Sequence, residues 1–251
     1  MAGHSKWAQI KHKKKATDAK RGQLFSKLTR AIIVAAREGG PDPAGNLALQ
    51  NAIEKARDAS MPKENIERAI ARGAGTAGDG AAYELATYEA YGPGGVAIFV
   101  EALTDNRNRT ASDVRHVFSK HDGSLGESGS VAWLFERKGV VLVGADGVDE
   151  DEVTLAAADG GAEDVKLEGS TLQVTCAPED VTSVREALER AGFAVESTHV
   201  TMLPKTTIEV ADEGAARKVL KLMEALDEVE DVQDVYANFD IPERVLEAVA
   251  A

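Results

Sequence analysis

The residue types best suited to chemistry crowd the start of the sequence, and the chemistry they suit is attachment to phosphate. Lys6, Lys11, Lys13, Lys14, Lys15, Lys20, Arg21, Lys27 and Arg30 fall within the first 30 residues, where Asp18 is the only acid. Cations at this density neutralise a polyanion and release its counterions, so attachment weakens steeply with salt. Lysine contacts of this kind supply affinity but read no base sequence. Trp7 stands among them, and an indole can stack on an unpaired base, receive a cation, or anchor the segment on neighbouring helices. A solvated helix face is the plain alternative for the lysines, and nine cations against one acid favour binding over it. "DNRNRT" offers a secondary anion site, because Arg107 and Arg109 precede a helix N-terminus whose unpaired N–H groups attract anions. The same composition also makes a turn and a helix cap.

Patterns for catalysis, metals and cofactors do not occur. The sequence contains no H-E-x-x-H, no G-x-S-x-G and no phosphate-loop motif. His4, His12, His116, His121 and His199 show no metal-ligand spacing with one another or with Cys176. A single cysteine excludes an intrachain disulfide, and in "LQVTC" it alternates onto the inner face of a strand, so a buried small residue is expected. The acidic run "DGVDEDE" lacks the order of a calcium loop and is read as the start of a helix, where acids favour the dipole. Gly73, Gly75 and Gly78 match G-x-G-x-x-G, but a helix precedes and a strand follows, the reverse of a dinucleotide site, so the stretch is read as a linker. No catalytic residue, metal or cofactor is therefore expected. A carboxylate-based enzyme working in an inter-domain cleft has only the abundance of Asp and Glu in its favour.

The elements that must position the basic segment follow from periodicity. Leu24, Leu28, Ile32 and Ala35 mark a first helix, broken by "GGPDP" at 39–43. A second helix is expected after Asn46 and a third from Pro62 to Gly73; helices so short must pack together to be stable. From Tyr83 the period changes to that of strands, with "VAIFVEAL" apolar enough for burial on both faces. Thr110 is read as the cap of a helix carrying Val114, Val117 and Phe118, followed by a loop and a strand "VAWLF". Residues 139–203 read β-α-β-β-α-β, the order of a ferredoxin-like unit, with Gly169-Ser170 as a hairpin turn. The β-α-β piece after Pro204 has too few strands to stand alone and is expected to complete the sheet begun at 83–136.

The expected fold class is therefore α+β: an N-terminal helical bundle followed by two α/β (ferredoxin-like) domains, one inserted in the other. The boundaries are 1–80 for the basic helical domain, 81–137 plus 205–241 for a discontinuous α/β domain, 138–204 for the insertion and 242–251 for a C-terminal tail. Charge divides along the same line. Residues 1–75 carry 15 Lys and Arg against 7 acids, and the rest carries 14 against 35. Such a chain presents its basic end to a polyanion and keeps the acidic remainder in solvent. No apolar run approaches bilayer length and no signal-like segment follows the basic start, so a cytoplasmic protein is expected.

"MAGHSKWAQIKHKKKATDAKRGQLFSKL", "MPKENIERAIARGAG", "YGPGGVAIFVEALTDNRNRT" and "GSLGESGSVAWLF" closely resemble the YebC/PmpR family. The resemblance covers essentially the whole chain. It implies three domains, one inserted in another, and a non-enzymatic role in gene expression. Members of this family are described as probable transcriptional regulators, some binding DNA. Others are linked to translation, including a mitochondrial activator of cytochrome c oxidase and factors that help ribosomes through proline runs. No per-residue role transfers with it, and the run Lys13–Lys15 is heavier than the family pattern. The expected partner is nucleic acid, either DNA or the rRNA and mRNA of the ribosome. No membrane, small-molecule substrate or cofactor is expected, and the chain is expected to be a monomer.

Overall fold

The computed structural model describes residues 18–76 and 82–250. In chain order these form helices α1 (Asp18–Gly39), α2 (Leu47–Asp58) and α3 (Lys63–Gly73), then β1 (Glu84–Tyr91), β2 (Ala97–Thr104), α4 (Arg107–Lys120) and β3 (Ser124–Leu125). There follow β4 (Phe135–Gly144), α5 (Glu150–Asp159), β5 (Ala162–Glu168), β6 (Thr171–Cys176), α6 (Val181–Arg190) and β7 (Val195–Pro204). The chain ends with β8 (Ile208–Glu209), α7 (Glu213–Asp227), β9 (Val232–Ala237), β10 (Phe239–Asp240) and α8 (Glu243–Ala250). Backbone contacts divide the described residues into two compact units, 134–207 and the rest.

In the larger unit the helices pack as the apolar stripe requires. Ile32, Ile33 and Ala36 of α1 meet Leu49, Ile53 and Ala56 of α2 and Ile66 and Ala69 of α3 in one buried cluster. Asn46 makes the corner between α1 and α2. Its Oδ1 accepts the Leu49 N–H (3.0 Å), capping α2, while its Nδ2 donates to the carbonyls of Ala35 (2.7 Å) and Gly40 (2.8 Å). α3 crosses α1 at Gly73, where a Cβ would lie 2.5 Å from the Ile33 carbonyl oxygen, so only glycine permits the approach.

The same unit holds an antiparallel sheet in the order β3-β1-β2-β9. β2 lies inside it and is buried along nearly its whole length, as its apolar run predicts. Ile98, Val100 and Val232 face Val114 and Phe118 of α4 and Leu222, Met223 and Leu226 of α7 in a second core. β8 and β10 form a short parallel pair beside it.

Residues 134–207 form the expected β-α-β-β-α-β unit, with sheet order β5-β6-β4-β7. Val141, Val143, Leu172 and Val174 pack on Val153 and Ala157 of α5 and on Val184 and Leu188 of α6. Cys176 belongs to that core. Burial, with Asp180 and Glu163 nearby, pushes its thiol up to about 11, which keeps it protonated and inert.

Two expectations need correction. α4 begins at Arg107, capped by Asn106, whose Oδ1 accepts the Arg109 N–H (3.1 Å), and Thr110 is instead buried within it. "VAWLF" is not a strand throughout: Ala132–Leu134 is a 3-10 turn, because the N–H groups of Val131 and Ala132 bond a carboxylate rather than a neighbouring strand. The described part of the C-terminal tail, 242–250, turns into a helix. α8 starts after Pro242, whose carbonyl accepts the N–H groups of Val245 and Leu246, and Val245 enters the core with Leu246 and Val249 packed alongside.

Candidate nucleic-acid interface

Lys6, Trp7, Lys11, Lys13, Lys14 and Lys15 lie outside the described residues, as does the side chain of Lys20. The cations of α1 that are described have separate fates. Arg21 is exposed, its guanidinium 6.0 Å from the centre of the Phe25 ring. Lys27 and Arg30, expected at the binding surface, face inward. Lys27 Nζ bonds the Asp227 carbonyl and lies 3.3 Å from the Asp227 carboxylate. Arg30 is only 7% exposed, donates to the Glu230 carbonyl and carboxylate, and lies 5.6 Å above the Tyr83 ring. One turn of α1 separates the two residues, so both reach the stretch from the last residue of α7 to the start of β9. They hold the helix in place and are removed from the set of cations that a polyanion can reach.

The centre of this attachment is Asp231, 3% exposed. Its Oδ2 accepts from the Thr110 hydroxyl (2.7 Å), Arg109 (2.8 Å) and the Thr104 hydroxyl (3.2 Å), and its Oδ1 lies 3.6 Å from Arg30. Burial opposes ionisation, but the bonds from Thr110 and Arg109 and the charges of Arg109 and Arg30 outweigh it, holding the carboxyl below its ordinary range. Arg109 also pairs with Asp105 (2.8 Å), and Arg107 pairs with Glu84 (2.8 Å) and bonds the Leu85 carbonyl (3.1 Å). Both guanidiniums of the secondary anion site thus already face carboxylates, and the Asn106 side chain occupies the Arg109 N–H at the helix start. The run "DNRNRT" builds a joint between α1, β2, α4 and the strand β9.

A second polar cluster escaped sequence reasoning. Glu89, on β1 and 7% exposed, accepts the backbone N–H groups of Gly129 (2.6 Å), Val131 (2.7 Å) and Ala132 (2.7 Å). Burial again works against the charge, and the three N–H bonds prevail, so the carboxyl lies below its ordinary range. Alternation gave no signal for it: Glu89 shares a face of β1 with the exposed Leu85, Thr87 and Tyr91, opposite the inward Ala86 and Ala90, and only the loop 129–132 folding over it makes it buried. Beyond that loop, the Tyr91 hydroxyl and the Trp133 indole N–H both donate to the Ser130 carbonyl at 3.1 Å. Among the described residues no group of three or more His, Cys, Asp or Glu is placed to hold a metal, and no helix is long and apolar enough to cross a membrane.

The description "TACO1/YebC protein N-terminal domain" matches residues 5–76, and "TACO1/YebC second and third domain" matches residues 83–239. The chain belongs to the TACO1/YebC family. A protein of Rubrobacter xylanophilus is 58% identical over the full length of both chains, and one of Thermomicrobium roseum is 54% identical over 99% of this chain and all of its own. Both are named "Probable transcriptional regulatory protein". The crystal structure of a conserved hypothetical protein from Aquifex aeolicus is similar at TM-score 0.82 and 53% identity, covering 95% of this chain and 98% of that one. The relatives' names are regulatory rather than enzymatic, in keeping with the absence of catalytic motifs from the sequence.

Proposed function

We propose that this TACO1/YebC protein is a non-enzymatic transcriptional regulator that binds DNA through its basic N-terminal segment. The observation that carries the reading is the charge division: nine cations against one acid in residues 1–30, in a chain of net charge −13. The names of the relatives support a regulatory role. The inward pairing of Lys27 and Arg30 supports a division of labour, in which α1 is held by its later cations while the earlier ones remain for phosphate. Binding of this kind is electrostatic, and its logarithm falls with the logarithm of salt at roughly 0.9 per phosphate neutralised.

Retardation of labelled promoter DNA tests the reading. Binding should survive excess random duplex, and charge reversal at Lys13, Lys14 and Lys15 should abolish it. Equal competition by random duplex defeats sequence-specific regulation by this chain alone. A second reading, a factor that works on the ribosome or other RNA during translation, draws on the acidic balance of residues 76–251, 14 cations against 35 acids, which suits a body repelled by nucleic acid except at its basic end. Cosedimentation with ribosomes across several ionic strengths distinguishes it; a chain that stays in the supernatant throughout refutes it.

A further inference from the structure

The acid-rich remainder of the chain carries a basic face. α4 and α7 pack side by side in the larger unit, sharing the core of Val114, Phe118, Val219 and Leu222. Asp231, just past α7, meets Thr110 in the first turn of α4 (2.7 Å), and Lys218 meets Asp122, just past α4 (2.9 Å), so the two helices run antiparallel. The second contact brings Lys120 and Lys218 to one end of the pair, and Arg217 and Lys221 share the outer side of α7 one turn apart. Residues 114–121 and 214–223 hold no acid, yet they hold Arg115, Lys120, Arg217, Lys218 and Lys221, five of the fourteen Lys and Arg of residues 76–251. All five are exposed. Elsewhere in this unit Lys27, Arg30, Arg107 and Arg109 all pair with carboxylates. Here Lys218 alone does so, with Asp122; among the described residues Arg115, Lys120, Arg217 and Lys221 form no ion pair. Glu213 and Glu224 bound the patch along α7, and Glu243 and Glu247 stand on α8, which packs against α7; no ion pair joins any of these four acids to it. Like charges one turn apart destabilise a helix, a cost that a bound anion removes.

We infer that the outer face of α4 and α7, through Lys120, Arg217, Lys218 and Lys221, is a second seat for the phosphate backbone of nucleic acid. The inference rests on the proposed nucleic-acid binding and adds where the ligand meets the body, beyond the basic N-terminal segment. A protein interface or a membrane surface would call for apolar anchors. No large hydrophobic residue of α4 or α7 is exposed. Val117, Leu220 and, on β3, Leu125 are partly open and pack against the core. Tyr91, exposed at the end of β1, lies on the opposite face of that strand from Ala90, which belongs to the core beneath the helices. The tip of the hairpin between β1 and β2, which a Cβ on Gly92 would bring within 3.2 Å of Leu222, adds no acid to the rim, since residues 90–100 contain none. What the face offers is positive charge on a polar surface, which holds a backbone and reads no base.

The test measures the affinity of the full chain for a labelled DNA duplex, and in parallel for an unstructured RNA strand, across a series of salt concentrations. Lys120→Gln, Arg217→Gln and Lys221→Gln are combined in one variant; all three sites are exposed and Gln is a comparable helix former, so its melting temperature should match the parent's. Each lost phosphate contact lowers the slope of log affinity against log salt by about 0.9 on duplex and about 0.7 on a single strand. The triple variant should therefore lose up to about 2.7 on DNA and, against a 1 M reference, up to about 500-fold in affinity at 0.1 M. Each single change should take about a third of the loss in slope, and the loss should be the same for unrelated sequences. The probe that shows the larger loss identifies the nucleic acid seated there. Lys166→Gln, Arg185→Gln and Arg190→Gln together remove the same charge from exposed sites in residues 134–207 and should leave the slope as it is. A fall smaller than one contact on both probes, beside a wild-type chain that binds, overturns the second seat and leaves the proposed function standing. An equal fall in the control triple assigns the effect to net charge and overturns it as well. Absence of binding by the wild-type chain to either probe overturns both. Binding to phosphatidylserine vesicles that the triple variant loses, with its slopes on nucleic acid unchanged, assigns the face to a lipid surface and overturns the inference.

Discussion

Replacing Asp231 by Asn keeps the shape of the joint and removes its charge. Arg30 would then retain the Glu230 carboxylate, which is largely exposed, and Arg109 would retain the exposed Asp105. Removing one member of a buried ion pair costs about 3–5 kcal/mol, because the remaining charge stays out of water without its partner. Arg109 is half-exposed and is screened by solvent, so the lower end applies, about 3 kcal/mol. For a chain of this size each kcal/mol moves the transition by roughly 2–4 °C, so the unit that contains α1 should melt about 6–12 °C lower. Calorimetry at pH 7 measures this. The dependence on pH is the sharper check. The Asp231 carboxyl is depressed in the folded protein, so its contribution is complete above the unfolded carboxyl pKa of about 4 and disappears as pH falls through the folded value. Acidification should therefore close the gap between wild type and Asp231→Asn from the wild-type side. Arg30→Met combined with Asp231→Asn should cost less than the sum of the single changes, since the two share one interaction. A gap below about 1 kcal/mol at pH 7, or one that stays constant down to pH 3, would refute the assignment of Asp231 as the charged centre of this joint.

Glu89→Ala should destabilise the larger unit by about 3 kcal/mol, since each buried N–H left without an acceptor costs about 1–3 kcal/mol and one of its three partners, Val131, is fully buried. The Glu89 carboxyl is also depressed, so this contribution too should be present at neutral pH and vanish in acid, as followed by Trp133 emission. Cys176, pushed up to about 11 and enclosed in the core, should resist a thiol reagent at pH 7.5 until urea opens residues 134–207; reaction in native buffer at the rate of the unfolded chain would contradict its placement.

The elements were legible because their signals are local. An unbroken apolar run marks β2, alternation marks β6, the Gly169-Ser170 turn sits between β5 and β6, and Asn46 caps α2 as its type suggests. The misreadings share a cause. Thr110 has the composition of a cap and the burial of a core residue, and only the distant Asp231 decides between them. Val131 and Ala132 look like the start of a strand, yet their N–H groups bond Glu89, more than forty residues earlier. A hydrogen bond between side chain and backbone across that separation leaves no period in the sequence.

The same reasoning separates the basic residues that composition had grouped together. Charge density is a property of the segment, and it could not tell Lys13 from Arg30. Position in α1 does so. Lys27 lies one turn before Arg30, and Arg30 one turn before Ile33, so both cations run alongside the apolar stripe, where a long cation must either find a carboxylate or withdraw toward water. Asp227, Glu230 and Asp231 supply the carboxylates, and they are drawn from the acid-rich part of the chain. The acidic remainder is thus more than a repelling surface: its carboxylates hold the later part of the basic helix in place. Loss of Asp231 should therefore loosen the later part of α1 and leave the cations of residues 1–21 as they are, so the proposed binding to nucleic acid should keep its salt slope.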